Sequence, residues 1–447
     1  MTAIGPDGGL VRELAVGYGT PLYIYRLDEV RRAHAALRAA LPADTKLYYS
    51  VKANPHPAVV AELLRCGATA EVSSLGELDI ALTAGADATQ ILYTGPGKAP
   101  AEVVQSIRSN VRVFSVESFG QLSMLTAQAR QEGVVVRCLL RVNTGAADGG
   151  GLRMNGTSQF GIDLAELRSK IRDVTDDWVV IAGLHFFPAS SVTDPSTLLS
   201  GIERSLAVAA ELQDRTGTPF TEIDLGGGFA APFAIEGAPV DYSGLREQLT
   251  ALLDSYTPGW RQGTPMISFE SGRYLVGSAG SLICSVLDIK QLGDRHYAVL
   301  DAGINHLGGL SGLGRLLPMR AQLVPLTDRG SDGREEQSVD FVGPLCTPMD
   351  TLARKVRMPL PQVGDLLLVP NVGAYGLSAS LVGFLSRALP REAIVDNDEL
   401  DSITTTELVR TADRSSATHG RHDELDRGHA RTTVGSERSP RSTHRPG

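Results

Sequence analysis

The amino-acid sequence predicts a closed (β/α)8 barrel of the α/β class followed by a second, mainly β domain. Three observations carry this reading. Strand-like and helix-like segments alternate with regularity from about Asp28, eight strand candidates precede Gly280, and beyond Gly280 the strand-like segments continue without long helices between them. Eight strands in alternation with helices suit a closed parallel barrel better than an open doubly wound sheet.

Residues 21–25 read as a strand that precedes the barrel and is free to join the later β domain. Asp28 is placed to cap a helix whose apolar positions Val30, Leu37 and Leu41 recur at helical spacing, and residues 46–51 follow as the first barrel strand. Seven further strands are expected at 70–72, 90–93, 111–116, 134–142, 179–186, 222–225 and 266–269, with helices between them, for example at 58–65, 76–83, 121–131, 202–214 and 245–255. In the β domain, strands are expected at 281–289, 296–300, 321–326, 338–342 and 365–370. The domain boundaries follow: a barrel over 28–279 and a β domain from 1–27 and 280–410. From about Thr411 to Gly447 the chain is Arg, Ser, Thr, His and Gly with almost no apolar residues, so it buries too little surface to offset its ordering entropy, and a disordered tail is expected. Four of the nine histidines sit there (His419, His422, His429, His444), where a solvated polar tail is a better reading than a metal site, and no metal is expected.

At 447 residues and 42% hydrophobic composition the chain can bury a large core. Its net charge of -9 offers no basic field for nucleic acid or an anionic membrane, so the expected partners are small molecules or proteins. Cys66, Cys138, Cys284 and Cys346 are too scattered for a disulfide framework or a zinc site. The first fifteen residues carry Asp7 and Glu13 and lack a signal-peptide pattern, and no apolar run is long enough to span a bilayer; a cytoplasmic protein is expected.

The chemistry-bearing segments sit at strand ends. Tyr49-Ser50-Val51-Lys52-Ala53-Asn54 places a lysine at the C-terminal mouth of the barrel, where burial is expected to lower its pKa for Schiff-base chemistry. Alone, it reads equally well as a lysine snorkelling at a strand end. Asp224-Leu225-Gly226-Gly227-Gly228 closes the seventh strand with three glycines that let backbone N–H groups approach a phosphate, or simply make a tight turn. Glu270-Ser271-Gly272-Arg273 closes the eighth. There Glu270 suits a protonated ring nitrogen and Gly272 with Arg273 a phosphate, the plain alternative being a surface ion pair. Gly343-Pro344-Leu345-Cys346 carries a thiol on a Gly/Pro-rich loop, fit for a proton donor or an inert buried cysteine. Gly373-Ala374-Tyr375 offers a phenol within reach of a phosphate.

These motifs, in this order, resemble the fold-type III pyridoxal 5′-phosphate (PLP) enzymes of the diaminopimelate and ornithine decarboxylase group, over roughly residues 21–390. The resemblance implies an alanine-racemase-like barrel and a PLP-dependent amino-acid decarboxylase. It makes Lys52 the Schiff-base lysine and Glu270 the partner of the pyridine nitrogen. It gives Ser190, Gly228, Gly272, Arg273 and Tyr375 to the phosphate, with Gly227 and His185 beside them in the cofactor set, and Glu71 and Arg141 to the surroundings of the lysine and ring. Cys346 matches the thiol that protonates the carbanion, supplied in the family by the partner subunit, so a homodimer with shared active sites is expected. Thr347 and Asp350, on the same loop, are assigned to the substrate.

Departures from the family pattern bear on the substrate. Phe187 stands where a ring-stacking histidine is usual, and it can stack but carries neither charge nor proton. Gln159 replaces a lysine, and Thr347 a glutamate. At Gly309 and Leu313 the diaminopimelate enzymes carry an arginine and a tyrosine for the distal end of the substrate. A glycine cannot replace a bidentate guanidinium contact, so diaminopimelate is not the expected substrate. The glycine-rich segment 308–314 points to a more open pocket, for a modified amino acid or one tethered to a carrier protein. The rival readings are a racemase of the same fold type, which usually presents arginine to the ring nitrogen, and a catalytically inactive regulatory homologue.

Overall fold

In the computed structural model the described residues are 8–145, 158–174, 176–217, 219–308, 320–326 and 335–411. The polar tail from 412, and Gly309 and Leu313 with the segment between them, lie outside them. Strand β1 (Leu22–Arg26) runs straight into a helix at Leu27–Ala40. The chain then lays down β2 (Lys46–Ser50), β3 (Thr69–Val72), β4 (Leu92–Tyr93), β5 (Val113–Val116), β6 (Val136–Asn143), a short β7 (Ile162–Asp163), β8 (Val179–His185), β9 (Glu222–Asp224) and β10 (Met266–Ser271). Parallel pairings run β2-β3-β4-β5-β6-β8-β9-β10 and back to β2, which closes an eight-stranded barrel, with β7 paired outside the ring to β6.

Alternation along each strand sends one set of side chains inward. Tyr48, Leu92, Val113, Leu139 and Ala182 form a buried cluster that fills the barrel, while neighbours such as Tyr49, Tyr93, Phe114 and Leu140 pack outward in the main core against the helices. The strand starts carry charge: Glu222 is fully buried, bound by Arg137, and accepts from the Tyr48 hydroxyl at 3.3 Å. This end is closed by a polar plug, and the opposite end is left for ligand.

The second sheet comprises β11 (Gly280–Leu292), β12 (Arg295–Leu300), β13 (Val324–Pro325), β14 (Glu336–Val342), β15 (Thr351–Pro359), β16 (Leu366–Val369), β17 (Arg391–Asp396) and β18 (Glu399–Thr405). Its order is β15-β14-β12-β11-β1-β17-β18, with β16 paired to β11 and β13 to β16. The N-terminal β1 is thus a central strand, antiparallel to β11 and parallel to β17.

Several local expectations are corrected. Asp28 is not the cap: the helix begins at Leu27, Arg26 is its N-cap, and Asp28 lies in the first turn, where it pairs with Arg32 and faces the positive end of the helix dipole. Of the strand expected at 321–326 only Val324–Pro325 pairs. Several elements went unread, the short β7 among them, and three features bear on the second sheet. The helix Gly8–Tyr18 packs Val11, Leu14 and Ala15 on the second sheet; their spacing is the amphipathic signal. Strand β15 was obscured by the charges of Arg354, Lys355 and Arg357, which face solvent. The β17–β18 hairpin turns at Asn397-Asp398, both with positive φ (47° and 61°), a turn that Asn and Asp tolerate well.

Glu392 on β17 is 8% exposed and accepts from the Tyr25 hydroxyl at 3.1 Å. Burial raises its pKa from 4.5 to about 7. A carboxyl whose folded pKa is raised takes up a proton on folding, so its contribution is fully present below the unfolded value and declines as pH rises through about 7. Glu392→Gln is expected to remove that decline. The loss of unfolding free energy between pH 5 and pH 8, measured by urea denaturation, should shrink by about 2–3 kcal/mol relative to wild type.

Candidate active site

Lys52 follows β2 in a single 3-10 turn, Val51–Ala53, which swings its side chain over the C-terminal mouth of the barrel. A cavity of about 470 Å³ opens there. Its wall includes Lys52, Glu71, Arg141, His185, Phe187, Ser190, Gly227, Gly228, Glu270, Gly272, Arg273 and Tyr375, so twelve of the predicted site residues come together from the barrel strand ends and one loop of the β domain. The wall also includes Ser73, Thr94, Gly95, Pro96, Gly97, Phe160 and Ser191, which the sequence motifs missed. The available signal was position: Ser73 and Thr94 immediately follow strands β3 and β4, where barrel enzymes place their sites.

Lys52 Nζ lies 3.2 Å from Glu71 Oε2 and 3.3 Å from Oε1. Glu71 is buried, and its Oε1 also accepts from Thr94 and Ser73 hydroxyls. The lysine side chain is 42% exposed because the cavity in front of it is open, although it sits well below the molecular surface. Burial by itself pushes the ammonium down, but the charges of Glu71 and Glu270 outweigh it and hold the pKa above the ordinary lysine range. The expectation of a lowered pKa therefore fails, because two carboxylates face the amine.

Glu270 closes β10 and is buried, with Oε1 making no hydrogen bond and lying 3.4 Å from His185 Nε2. Burial first, then the charges of Glu71 and Asp224, push its carboxyl pKa well up. The other ring nitrogen of His185 bonds the Ser115 hydroxyl at 2.8 Å. Burial and the cations Arg141, Lys52 and Lys98 hold the imidazole neutral, its pKa far below the usual value.

Arg141 Nη1 binds Glu117 Oε1 at 2.7 Å, and Glu117 Oε2 accepts from Gly161 N at 3.0 Å. The guanidinium also lies over the rings of Phe160 (5.0 Å) and Phe187 (5.9 Å). Phe187 is thus held against the cavity by a cation–π contact rather than by any polar group of its own. At the far side Arg273 lies 4.9 Å over the Tyr375 ring, and Tyr375, at φ 55°, is fixed by its N–H on Ala53 O at 2.8 Å.

The glycine run of β9 answers to packing as well as to ligand. A Cβ on Gly226 would lie 2.2 Å from Phe186 O and one on Gly227 2.5 Å from Glu270 O, while Gly228 has φ +115°. Side chains are excluded at Gly226 and Gly227 by adjoining backbone, and the clearance at Gly227 keeps the cavity open beside Phe187.

Cys346, Thr347 and Asp350 are not brought to this cavity. Thr347 and Asp350 line a separate hollow of about 350 Å³ in the β domain, and Cys346 is exposed on the same loop. The Asp350 carboxylate accepts from Ile304 N at 2.8 Å and Leu345 N at 2.7 Å, so it shapes the loop that carries the thiol.

The residues present fit PLP. An amine faces a cavity floored by Glu270, whose buried oxygen has no hydrogen bond and matches a protonated ring nitrogen. An arginine and a side-chain-free glycine wall stand at the other end, suited to a phosphate.

Comparison with known proteins agrees. Residues 27–277 match the pyridoxal-binding domain of pyridoxal-dependent decarboxylases. The chain is 28% identical over 416 residues to the L-glutamyl-[BtrI acyl-carrier protein] decarboxylase of Niallia circulans, covering 91% of this chain and 96% of that protein. It is 30% identical over 408 residues to the diaminopimelate decarboxylase of Aquifex aeolicus, covering 90% and 92%. Among solved structures, AQ1208 from Aquifex aeolicus superposes with a TM-score of 0.76 at 29% identity, covering 87% of this chain and 90% of that one. Diaminopimelate decarboxylase from Helicobacter pylori, complexed with L-lysine, has the same fold, with a TM-score of 0.77 at 23% identity over 88% and 95%.

Proposed function

Because the chain belongs to the pyridoxal-dependent decarboxylase family, and so is a PLP-dependent amino-acid decarboxylase, we propose that its substrate is an amino acid carried on a larger molecule, a carrier-protein thioester in particular, rather than free diaminopimelate. One observation carries this. Among the described residues, the cations lining the cavity are Lys52, Arg141 and Arg273, and each is engaged: by Glu71, by Glu117, and by the Tyr375 ring at the phosphate end. None remains to neutralise a distal carboxylate, and Gly309 stands where the diaminopimelate enzymes carry arginine. A side-chain carboxyl already bound as a thioester is neutral and needs no such partner. The Niallia circulans relative, named for a carrier-bound glutamyl group, supports the same reading.

Bound at Lys52, the cofactor supplies the electron sink that makes loss of CO₂ from an α-amino acid feasible. The protein's part is positioning and proton control. Glu270 would accept a hydrogen bond from a protonated ring nitrogen, and neutral His185 beside it adds no competing charge. Arg273, Gly227, Gly228, Gly272, Ser190 and Tyr375 would hold the phosphate, and Phe187, held by Arg141, would offer the ring an aromatic wall. Cys346 of the partner subunit returns a proton to Cα after the carbon–carboxylate bond breaks, so a homodimer is the working unit.

The test is mass spectrometry of products formed in D₂O by the PLP-loaded protein, offered free and carrier-tethered amino acids. Loss of CO₂ with one deuterium at the former α-carbon is expected for an amino acid tethered through its side-chain carboxyl. Comparable turnover of free diaminopimelate would sink the substrate assignment, and deuterium uptake without loss of mass would indicate racemisation.

A further inference from the structure

We propose that the Gly95-Pro96-Gly97 lip, between β4 and the helix Pro100–Arg108, is the exit by which the linear, uncharged part of a carrier-bound arm leaves the cavity. This rests on the tethered-substrate reading above. Of the residues that wall the cavity, Lys52, Pro96 and Gly97 are exposed, and the rest are half-buried or buried. With Lys52 taken by the cofactor, Pro96 and Gly97 form the solvent edge.

The two glycines of the lip differ in a telling way. Gly95 has φ +95° and a Cβ there would come within 3.3 Å of Ser73 Cβ, so backbone and packing both require it. Gly97 has no such conformation, and a Cβ on it would meet nothing within 4 Å. Its missing side chain is dictated neither by strain nor by contact; what it preserves is open space at the cavity edge.

The lip is also tied down by side chains. Lys98 Nζ donates to Gly95 O at 2.6 Å and Gln121 Nε2 to Pro96 O at 2.6 Å. Gln121 Oε1 in turn accepts from Glu117 N at 3.0 Å, and Glu117 holds Arg141 inside the cavity. Two side chains thus pin the opening to the catalytic wall, so its width is set by the fold. None of the three lip residues carries a charged side chain, and the Lys98 ammonium beside them is turned onto the Gly95 carbonyl, so the edge itself suits a flexible chain of methylene and amide groups.

The experiment fills the opening. Gly97→Leu and Gly97→Trp are prepared as PLP-loaded enzyme and compared with wild type, by CO₂ release, on L-glutamate joined through its side-chain carboxyl as a thioester to a phosphopantetheinylated acyl carrier protein. Binding of free L-glutamate is read separately from the absorbance of the bound cofactor. The expected result is a size-graded loss of kcat/KM on the tethered substrate, about tenfold or more for Gly97→Trp beyond any change in the midpoint for free L-glutamate. Wild-type turnover of the tethered substrate by Gly97→Trp would overturn the exit while leaving the tethered reading intact, and so would an equal loss on both readouts. A wild-type enzyme that decarboxylates a free amino acid but no tethered one would overturn both.

Discussion

Replacing Lys52 by alanine is expected to lower turnover by about 10⁴-fold or more and to abolish covalent retention of the cofactor. The amine is the one lysine of the cavity wall among the described residues, so no neighbour can take over the attachment. Its surroundings make the test clean. Glu71 is buried and depends on Lys52 to remain charged, since burial raises its carboxyl pKa while the lysine and the Thr94 hydroxyl bring it down. Alanine therefore removes two things, the nucleophile and the charge that balances Glu71 and Glu270. Lys52→Arg separates them. A guanidinium restores the positive charge beside Glu71 but cannot form the covalent link, so it should keep more thermal stability than alanine and be equally inactive. Borohydride reduction followed by intact-mass measurement reads the attachment, and a variant that still gained the mass of the reduced cofactor would show that another amine carries it.

How much of this was legible beforehand follows from where each signal resides. The barrel was readable because its strands are short apolar runs separated by amphipathic helices, and the closing pairs β5–β6 and β10–β2 add no sequence feature of their own. That Lys52, Glu270 and the glycine run lie together at the barrel mouth was readable because each sits at a strand end and each belongs to a motif. Glu117 was not. It lies one residue past β5 outside any of the motifs, and its role, fixing both Arg141 and the Gly161 backbone, exists only once three segments meet. The lysine's electrostatics were misread for the same reason. Burial is a local inference, whereas the carboxylates that reverse its effect come from β3 and β10, far apart along the chain. The proposal about the substrate began from departures, Phe187 and Gly309, because a replaced side chain removes a specific contact.

The same reasoning makes the placement of Cys346 decisive. The thiol is exposed, on a loop held in shape by Asp350, and it does not line the cavity of its own chain. If it is the proton donor, it acts on the site of another copy. Cys346→Ala alone should then lose about 10²- to 10³-fold in decarboxylation, the range typical of a removed general acid. The sharper measurement mixes Cys346→Ala with Lys52→Ala under conditions that allow subunits to exchange. A mixed dimer has one site with both residues disrupted and one with the lysine of one chain and the thiol of the other intact. Random exchange at equal concentrations makes about half of the dimers mixed, each with one working site of two, so activity should recover to about a quarter of wild type. A thiol serving its own chain leaves every mixed dimer with two broken sites and predicts no recovery at all. The two arrangements differ by orders of magnitude in one assay, and the comparison needs no knowledge of the natural substrate, since any amino acid that the wild-type enzyme decarboxylates will report it.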